Sequence, residues 1–443
     1  MSEIAIIGSG SAGTLAAWRL RQLLGEKARI TVFEREEQIG GRAHHIEFAG
    51  ELVELGGTLI HTDNRRLVEL ARDVSVELKE RRVSQPAGDG SLLVWDGRKA
   101  VFQAPLDGVG LPLALVRRYG PVNLLKLQKL AKQAKAAWNS VYRLQDAGRR
   151  FTTPEELITA AGLTPYIETS LTQLAERRGI KGRLIDQFAT GVLRDMYNQT
   201  ADVIALAGLV GLAGAGLAGG SLVAAPRGNA TLFARALETA GAEVRLGSRV
   251  DGIVQREGKT LVAVAGAEPE AFDAVIVAAP LELAGIDLAG TDGPIAADVG
   301  RRFQDVHTTV VAGQADPAFF GAKAAPGDVL TTNDPSAQFK AFGQTGHSRA
   351  LDVPIWKFFS AEPISEELLG QIFSEVKEVH RHLWRAYPVL RPSPKFLPFR
   401  LAPGLYQVNS FESAVSTLET EGAVGWSVAD LVARDLRAPT SEP

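Results

Sequence analysis

Near its start the chain runs an apolar stretch, IAIIG at residues 4–8, into Gly8-x-Gly10-x-x-Gly13 and then into a helix-forming segment, SAGTLAAWRLRQLL. A second apolar stretch, ARITVFE, ends on an acid at Glu34, 21 residues after Gly13. Few arrangements satisfy all of this except a strand, a glycine turn, a helix and a second parallel strand. The glycines admit the tight turn and the close approach of a pyrophosphate. The helix start, with Ser11 and Ala12, offers unpaired N–H groups to phosphate, and the acid accepts ribose hydroxyls. The expected fold class is therefore α/β with a Rossmann-type dinucleotide site. This pattern alone does not separate NAD from FAD, and no second such motif follows a strand, so NAD(P)H is not expected as a further partner.

Composition narrows the classes that remain. With 443 residues, 45% of them hydrophobic and 22% charged, the chain is long enough for two or three cores. A net charge of −3 gives no general attraction to nucleic acid. The absence of cysteine excludes disulfides, a catalytic thiol and a cysteinyl link to a cofactor. Histidines show no H-E-x-x-H spacing, so no metal site is expected, and the pairs His44/His45 and His380/His382 read as surface residues. No signal-like segment precedes the first strand, which sets a cytoplasmic expectation. The longest weakly charged stretch, 202–226, is interrupted by glycines and reads as a buried helix, a glycine-rich turn and a strand rather than a membrane span.

Behind the ribose acid comes EQIGGRA at 37–43, then a hairpin pattern, HHIEFAGELVELGG, ending in ELGGTLIH at 54–61. The Gly40-Gly41-Arg42 turn in this position resembles the FAD signature of the amine oxidase and phytoene desaturase superfamily. That resemblance implies a Rossmann-type FAD-binding domain of the GR2-like flavoprotein fold with an interleaved α+β substrate domain. Residues 1–80, 215–290 and 401–443 would form the FAD-binding part, and 81–214 with 291–400 the substrate part. It further implies Glu34 and Arg35 at the adenosine, Gly41 and Arg42 near the pyrophosphate, and Gly56, Gly57 and Thr58 against the flavin ring. Val250 would meet the adenine, and the strand ending near Ala279 would return to the nucleotide. The chain carries Asn409 and Ser410 where the superfamily ends a strand in glycine-aspartate, so Glu412 would substitute. Glu421-Gly422-Ala423 would start a helix whose N–H groups face the flavin C2 oxygen.

Within the substrate part, 121–145 has apolar positions three and four apart, which fits either a packed helix or one touching a membrane transiently. Thr153 before Pro154 reads as a helix cap. The segments RRYG (117–120), RDMYNQTADVIALAG (194–208), IWKFFS (355–360), WRAYP (384–388) and LYQVNSFESAVSTLE (405–419) resemble, in order, those of the prenylcysteine oxidases, or prenylcysteine lyases.

This resemblance implies noncovalent FAD, hydride transfer from the allylic carbon beside sulfur to flavin N5, and release of a prenyl aldehyde and a thiol. Molecular oxygen would reoxidise the flavin and give hydrogen peroxide. His61, Tyr197 and Gln199 become candidate catalytic residues, Arg194 and Tyr197 candidate substrate contacts, and Lys357 a residue bordering either the ring or a strand edge. Burying a tail of ~15 carbons at roughly 0.8 kcal/mol per methylene supplies on the order of 10 kcal/mol gross, so a long apolar pocket is expected. Two other readings stay open: a desaturase, isomerase or amine-type oxidase acting on another apolar substrate, and a flavin-binding protein without redox activity.

Overall fold

The computed structural model describes residues 1–80, 90–291 and 300–437. The opening residues assigned above to each substrate segment, 81–89 and 292–299, lie outside that range, as do 438–443.

Near-continuous apolar runs make strands that must be covered on both faces. Ser2–Ile7 lies between Ala28–Phe33 and Ala274–Val277 in a sheet ordered Glu243–Arg245, Ala28–Phe33, Ser2–Ile7, Ala274–Val277, Leu405–Gln407, all parallel, with Arg400–Ala402 antiparallel at the edge. Ile4, Ile6, Ile30 and Ile276 turn toward the helices, whereas Ala5, Ile7, Phe33 and Val275 pack on a small four-stranded sheet carrying Val250, Ile253, Val262 and Phe272. The segment after Ala224 forms a helix, Asn229–Thr239, and three strands. The first of them, Glu243–Arg245, is short and extends the parallel sheet.

Helix Ser11–Leu24 packs along the C-terminal helix Leu418–Asp435 through missing side chains. A Cβ on Gly425 would stand 2.2 Å from the Ala12 carbonyl oxygen, and one on Gly422 would stand 2.8 Å from the Ser11 hydroxyl; on the other side of the first helix, one on Gly13 would stand 2.0 Å from the Gly8 carbonyl oxygen of the strand-to-helix turn.

The second body is a seven-stranded sheet ordered Phe373–Pro388, Phe303–Ala315, Val353–Ser360, Ala341–Ser348, Asp328–Thr331, Ser91–Trp95 and Ala100–Pro105. Its core stacks Phe342 on Trp356 with centroids 4.9 Å apart and presses Phe358 to 4.5 Å from Phe342. Helices Pro121–Asp146, Pro154–Ala161, Thr190–Tyr197 and Ala205–Leu212 share a core with the parallel sheet. The Thr153 cap forms as its sequence suggests: its hydroxyl accepts from the Glu156 N–H at 3.2 Å. Stretch 202–226 resolves into helix, glycine turn and strand, also as expected. No helix of the described residues is long and apolar enough to cross a membrane.

The hairpin His45–Phe48/Glu51–Glu54 joins the two bodies, because Phe48, Val53 and Leu55 bury against Val310, Ala312, Val353 and Ile355 of the large sheet. It therefore delivers Gly56 and Gly57 to the seam between them.

Candidate functional site

Along that seam runs one cavity of about 1800 Å³. Pockets for a single drug-sized ligand fall at ~300–1,000 Å³, so the space suits two occupants end to end. One end is lined by Gly8, Gly10, Ser11, Ala12, Glu34, Arg35, Gly41, Val250 and Ala279. Gly8 adopts φ +107° there, with the Ala278 carbonyl only 2.8 Å from where a Cβ would be. The helix cap at Gly10 carries no side-chain hydrogen bond, leaving first-turn N–H groups turned to the cavity. Glu34 is 5% exposed. Its Oε2 accepts from the Ser9 N–H at 3.0 Å and hydroxyl at 2.6 Å, and its Oε1 from the Glu36 N–H at 3.0 Å, so the carboxylate is fixed in place. Arg35 is tied less firmly, to Glu36 and the Leu283 carbonyl.

Farther along, Arg42 lines the cavity and pairs with the fully buried Glu412, while also donating to the Ala386 carbonyl at 2.8 Å. Burial works against its charge, but Glu412 more than offsets this, so the guanidinium stays charged. Beside the pair, Asn409 donates to Glu421 Oε2 at 3.0 Å, yet Asn409 Oδ1 and Glu421 Oε1 are buried without a partner among the described residues. Burial first, then Glu412, pushes the Glu421 carboxyl well above the ordinary carboxylate range. Buried orphans cost roughly 1–3 kcal/mol each. Because Asn409 and Glu421 line the cavity, a polar ligand such as the isoalloxazine and ribityl portion of FAD fits them.

At the midpoint Tyr197 meets Tyr387 edge-on at 5.4 Å, and Trp384 lies 6.1 Å from Tyr387 and beneath Gly56. Asp195 and Lys357 enter the same space. Burial pushes the Asp195 carboxyl up to about 6, with Lys357 pulling the other way. Beyond them the lining turns apolar: Leu106, Leu111, Phe188, Val192, Met196 and Leu209.

A family model for prenylcysteine lyase matches residues 112–442, and one for an NAD(P)-binding Rossmann-like domain matches residues 6–74. The chain belongs to the prenylcysteine lyase family. Farnesylcysteine lyase of Arabidopsis thaliana is 28% identical over 451 residues, covering 97% of this chain and 88% of that protein. Human prenylcysteine oxidase 1 is 26% identical, covering 96% and 88%. Two solved structures share the fold. Cyclohexylamine oxidase from Brevibacterium oxydans matches with a TM-score of 0.66 at 18% identity, covering 99% of this chain and 100% of that one. A CLA-producing fatty acid isomerase from P. acnes matches at 0.64 and 14%, covering 98% of each. As a member of the prenylcysteine lyase family, the chain is an FAD-dependent oxidoreductase.

For this prenylcysteine lyase family member the structure reassigns several candidate residues. His61 lines the cavity, but its Nε2 meets the Gly219 carbonyl at 2.9 Å and its Nδ1 the Asp63 N–H at 3.1 Å, so the ring pins a glycine turn. Gln199 holds the chain at 388–390: its amide donates to the Pro388 carbonyl at 3.0 Å and accepts from the Leu390 N–H at 2.9 Å. It does not line the cavity. Arg194 is buried on Thr331, Asn333 and the Phe339 carbonyl, out of reach of a substrate carboxylate. With no carboxylate paired to it among the described residues, burial lowers its guanidinium to about 10. Glu412 faces Arg42 rather than the cavity.

Gly56, Gly57 and Thr58 line the cavity as expected, but the glycine pair also has a packing reason. A Gly56 Cβ would lie 2.1 Å from the Arg42 carbonyl oxygen, and a Gly57 Cβ 3.1 Å from Leu418, so protein rather than a ring fills those directions. Thr58 is part of the same turn, its hydroxyl on the Gly56 carbonyl at 2.8 Å. Gly13, Gly422 and Ala423 do not line the cavity: Gly13 packs on the Gly8 carbonyl and Ile6, Gly422 packs on Ser11 and Leu15 of the first helix, and Ala423 is fully buried in the core. The last helix starts at Leu418, and the Glu421 N–H is already bonded to the Thr417 carbonyl. Finally, His380 and His382 share one face of a 16-residue strand, and His382 stacks on His44 at 5.3 Å in the cavity wall. Burial, then neighbouring imidazoles, hold both His44 and His382 below the ordinary histidine value. Asp195, Tyr387 and Trp384 were missed because nothing local marks them; tertiary packing alone brings them to Tyr197.

Proposed function

We propose that this protein oxidises a prenylated thioether of the prenylcysteine type at the allylic carbon beside sulfur, giving a prenyl aldehyde and a free thiol. The observation that carries the reading is the continuity of one cavity from a dinucleotide cradle, past Asp195, Lys357 and Tyr197, into an apolar arm. When bound, FAD supplies a hydride acceptor at N5, and molecular oxygen reoxidises it with release of hydrogen peroxide. Glu34, the Gly8–Gly13 loop and Arg42 hold the dinucleotide noncovalently, with no cysteine in the chain to form a thioether link to it.

Phe188, Val192, Met196 and Leu209 take the prenyl tail and exclude water from it. Tyr197, Tyr387 and Trp384 wall the reacting carbon. The cation left by hydride loss is delocalised over sulfur and the allyl group, so the oxidative step needs positioning more than a base. Water then adds to that carbon. Its oxygen forms the new C–O bond as a proton passes to the Asp195 carboxylate, whose raised value suits a base working near neutrality. The hemithioacetal then breaks its C–S bond: the Asp195 carboxyl gives its proton to the departing sulfur, and as the carbonyl forms the hydroxyl proton passes to the Asp195 carboxylate, from which it is released as the one net proton of the reaction.

Anaerobic mixing of the yellow protein with farnesylcysteine tests this. Bleaching of the flavin, followed on aeration by one peroxide per aldehyde, is the expected result. Bleaching by a hydrocarbon isoprenoid or an amine but not by the thioether would move the activity to another donor. A flavin that none of them reduces would make this a binding protein.

A further inference from the structure

Helices Gly110–Tyr119 and Pro121–Asp146 form a hairpin at the apolar end of the cavity, and its outer surface is unlike the rest of the molecule. Of the twelve exposed large apolar side chains among the described residues, five lie between Val109 and Leu125. They are Val109, 77% exposed, Leu113, 65%, Val116, 39%, Val122, 63%, and Leu125, 63%. Soluble surfaces scatter such residues singly; clustering marks a docking face.

The charge around them has one sign. Residues 108–145 contain seven lysines and arginines and no aspartate or glutamate, in a chain whose net charge is −3. Arg117, Arg118, Lys126, Lys129 and Lys132 are exposed, and none pairs with a carboxylate among the described residues. The nearest acid, Asp107, is used to accept the N–H groups of Val109 and Gly110 at the start of the first helix.

Helical geometry sorts these residues. On the longer helix Leu127, Leu130, Ala131, Ala134 and Trp138 are buried inward. Val122, Leu125, Lys129 and Lys132, at spacings of three, four and three, run up the outward side. The stripe thus begins apolar and ends basic, the layout of an interfacial helix whose apolar turn enters the acyl boundary while lysines reach the phosphates.

We infer that the outer face of this hairpin docks on an anionic phospholipid surface. A second copy of the chain is a poorer occupant, because an isologous contact would oppose five unpaired cations to their own copies. The inner face of the shorter helix puts Leu111 on the cavity wall next to Leu106, so the docked face lies one helix away from the apolar arm. That this shortens the path of a membrane-dissolved prenyl tail rests on the function proposed above; the docking itself does not.

The test is co-sedimentation of the holoprotein with phosphatidylcholine vesicles, with and without phosphatidylserine. Each cation brought to an anionic leaflet is worth roughly a fivefold gain in partitioning, so serine-containing vesicles should bind on the order of 10²-fold more tightly or better. High salt should reverse the gain. The double variant Leu113→Asp/Leu125→Asp, at two exposed positions, should keep its flavin and its rate of flavin reduction but lose vesicle binding by more than ~10-fold. Equal binding to neutral vesicles, no binding to either, or unchanged binding of the double variant would each overturn the proposal. So would a light-scattering mass showing a dimer that the double variant resolves into monomers, because a second copy would then cover the face. None of these readings depends on turnover, so failure here is distinct from failure of the thioether assignment.

Discussion

The two ends of the cavity are made of different material. The dinucleotide end is mostly backbone: the glycine turn at 8–13, Gly41, and a helix start, with Glu34 as its one tightly held side chain. The other end is side chains alone, with Phe188, Val192, Met196 and Leu209 on helical segments meeting Leu330 and Phe342 from the large sheet. A backbone cradle fails abruptly when a Cβ is added, because neighbouring backbone cannot give way. An apolar wall fails by degrees, at about 0.8 kcal/mol per methylene. Where the two meet, a few polar groups carry the chemistry.

The meeting point should be the most sensitive. Asp195→Asn is expected to bind FAD normally and to lower turnover by ~10² to 10⁴-fold, as for loss of a proton acceptor. In the parent enzyme kcat should fall as pH drops through about 6, since the raised carboxyl then takes up its proton and ceases to be a base. A variant with full turnover, or one that keeps that acidic limb, would remove Asp195 from the mechanism.

At the backbone end, Glu34→Ala deletes the one charged acceptor and should weaken FAD binding by roughly 1.5–3 kcal/mol, about 10- to 150-fold, in equilibrium titration. Unchanged affinity would mean that the carboxylate only braces Ser9 and Glu36.

Gly56→Val sharpens the contrast, because its side chain would strike the Arg42 carbonyl and Trp384 whether or not flavin is bound. Thermal unfolding should show a loss of ~1–3 kcal/mol in the apoprotein itself, with Gly57→Val losing less because the flexible Leu418 can move. If both apoproteins keep their parent stability and only flavin content falls, the ring occupies that space after all.

In the apolar arm the expected effects are smaller. Val192→Phe should lower kcat/KM for a long-tailed thioether about 4- to 15-fold relative to a short-tailed one, the worth of displacing one or two methylenes. An equal loss on both would place the tail elsewhere. Smallest of all, His61→Ala should cost ~0.5–1.5 kcal/mol of stability through its two hydrogen bonds and leave flavin reduction unchanged. A large fall in the reduction rate would return His61 to the catalytic list.

Local sequence was sufficient wherever a property is local. The Gly8–Gly13 loop, Glu34, the capping residues at 153–156 and the hairpin after Arg42 depend on backbone freedom, hydrogen-bonding type and period, all of which are written in neighbouring residues. The packed apolar stripe of the 121–146 helix was legible in the same way. Tertiary structure decided which candidates face the cavity. Arg194, Tyr197 and Gln199 sit within six residues of one another, yet only Tyr197 opens onto it, because rotation about the helix and the chain reversal at Asn198, with φ 54°, send the other two into the protein. Asp195, one residue from Arg194, points the other way. Burial beside Tyr387 raises its carboxyl against the opposing pull of Lys357, and the sheet brings both partners from more than 150 residues along the chain. Periodicity specifies the face of a helix but not what the fold sets against it, and burial and charge at this site exist only once those segments have packed.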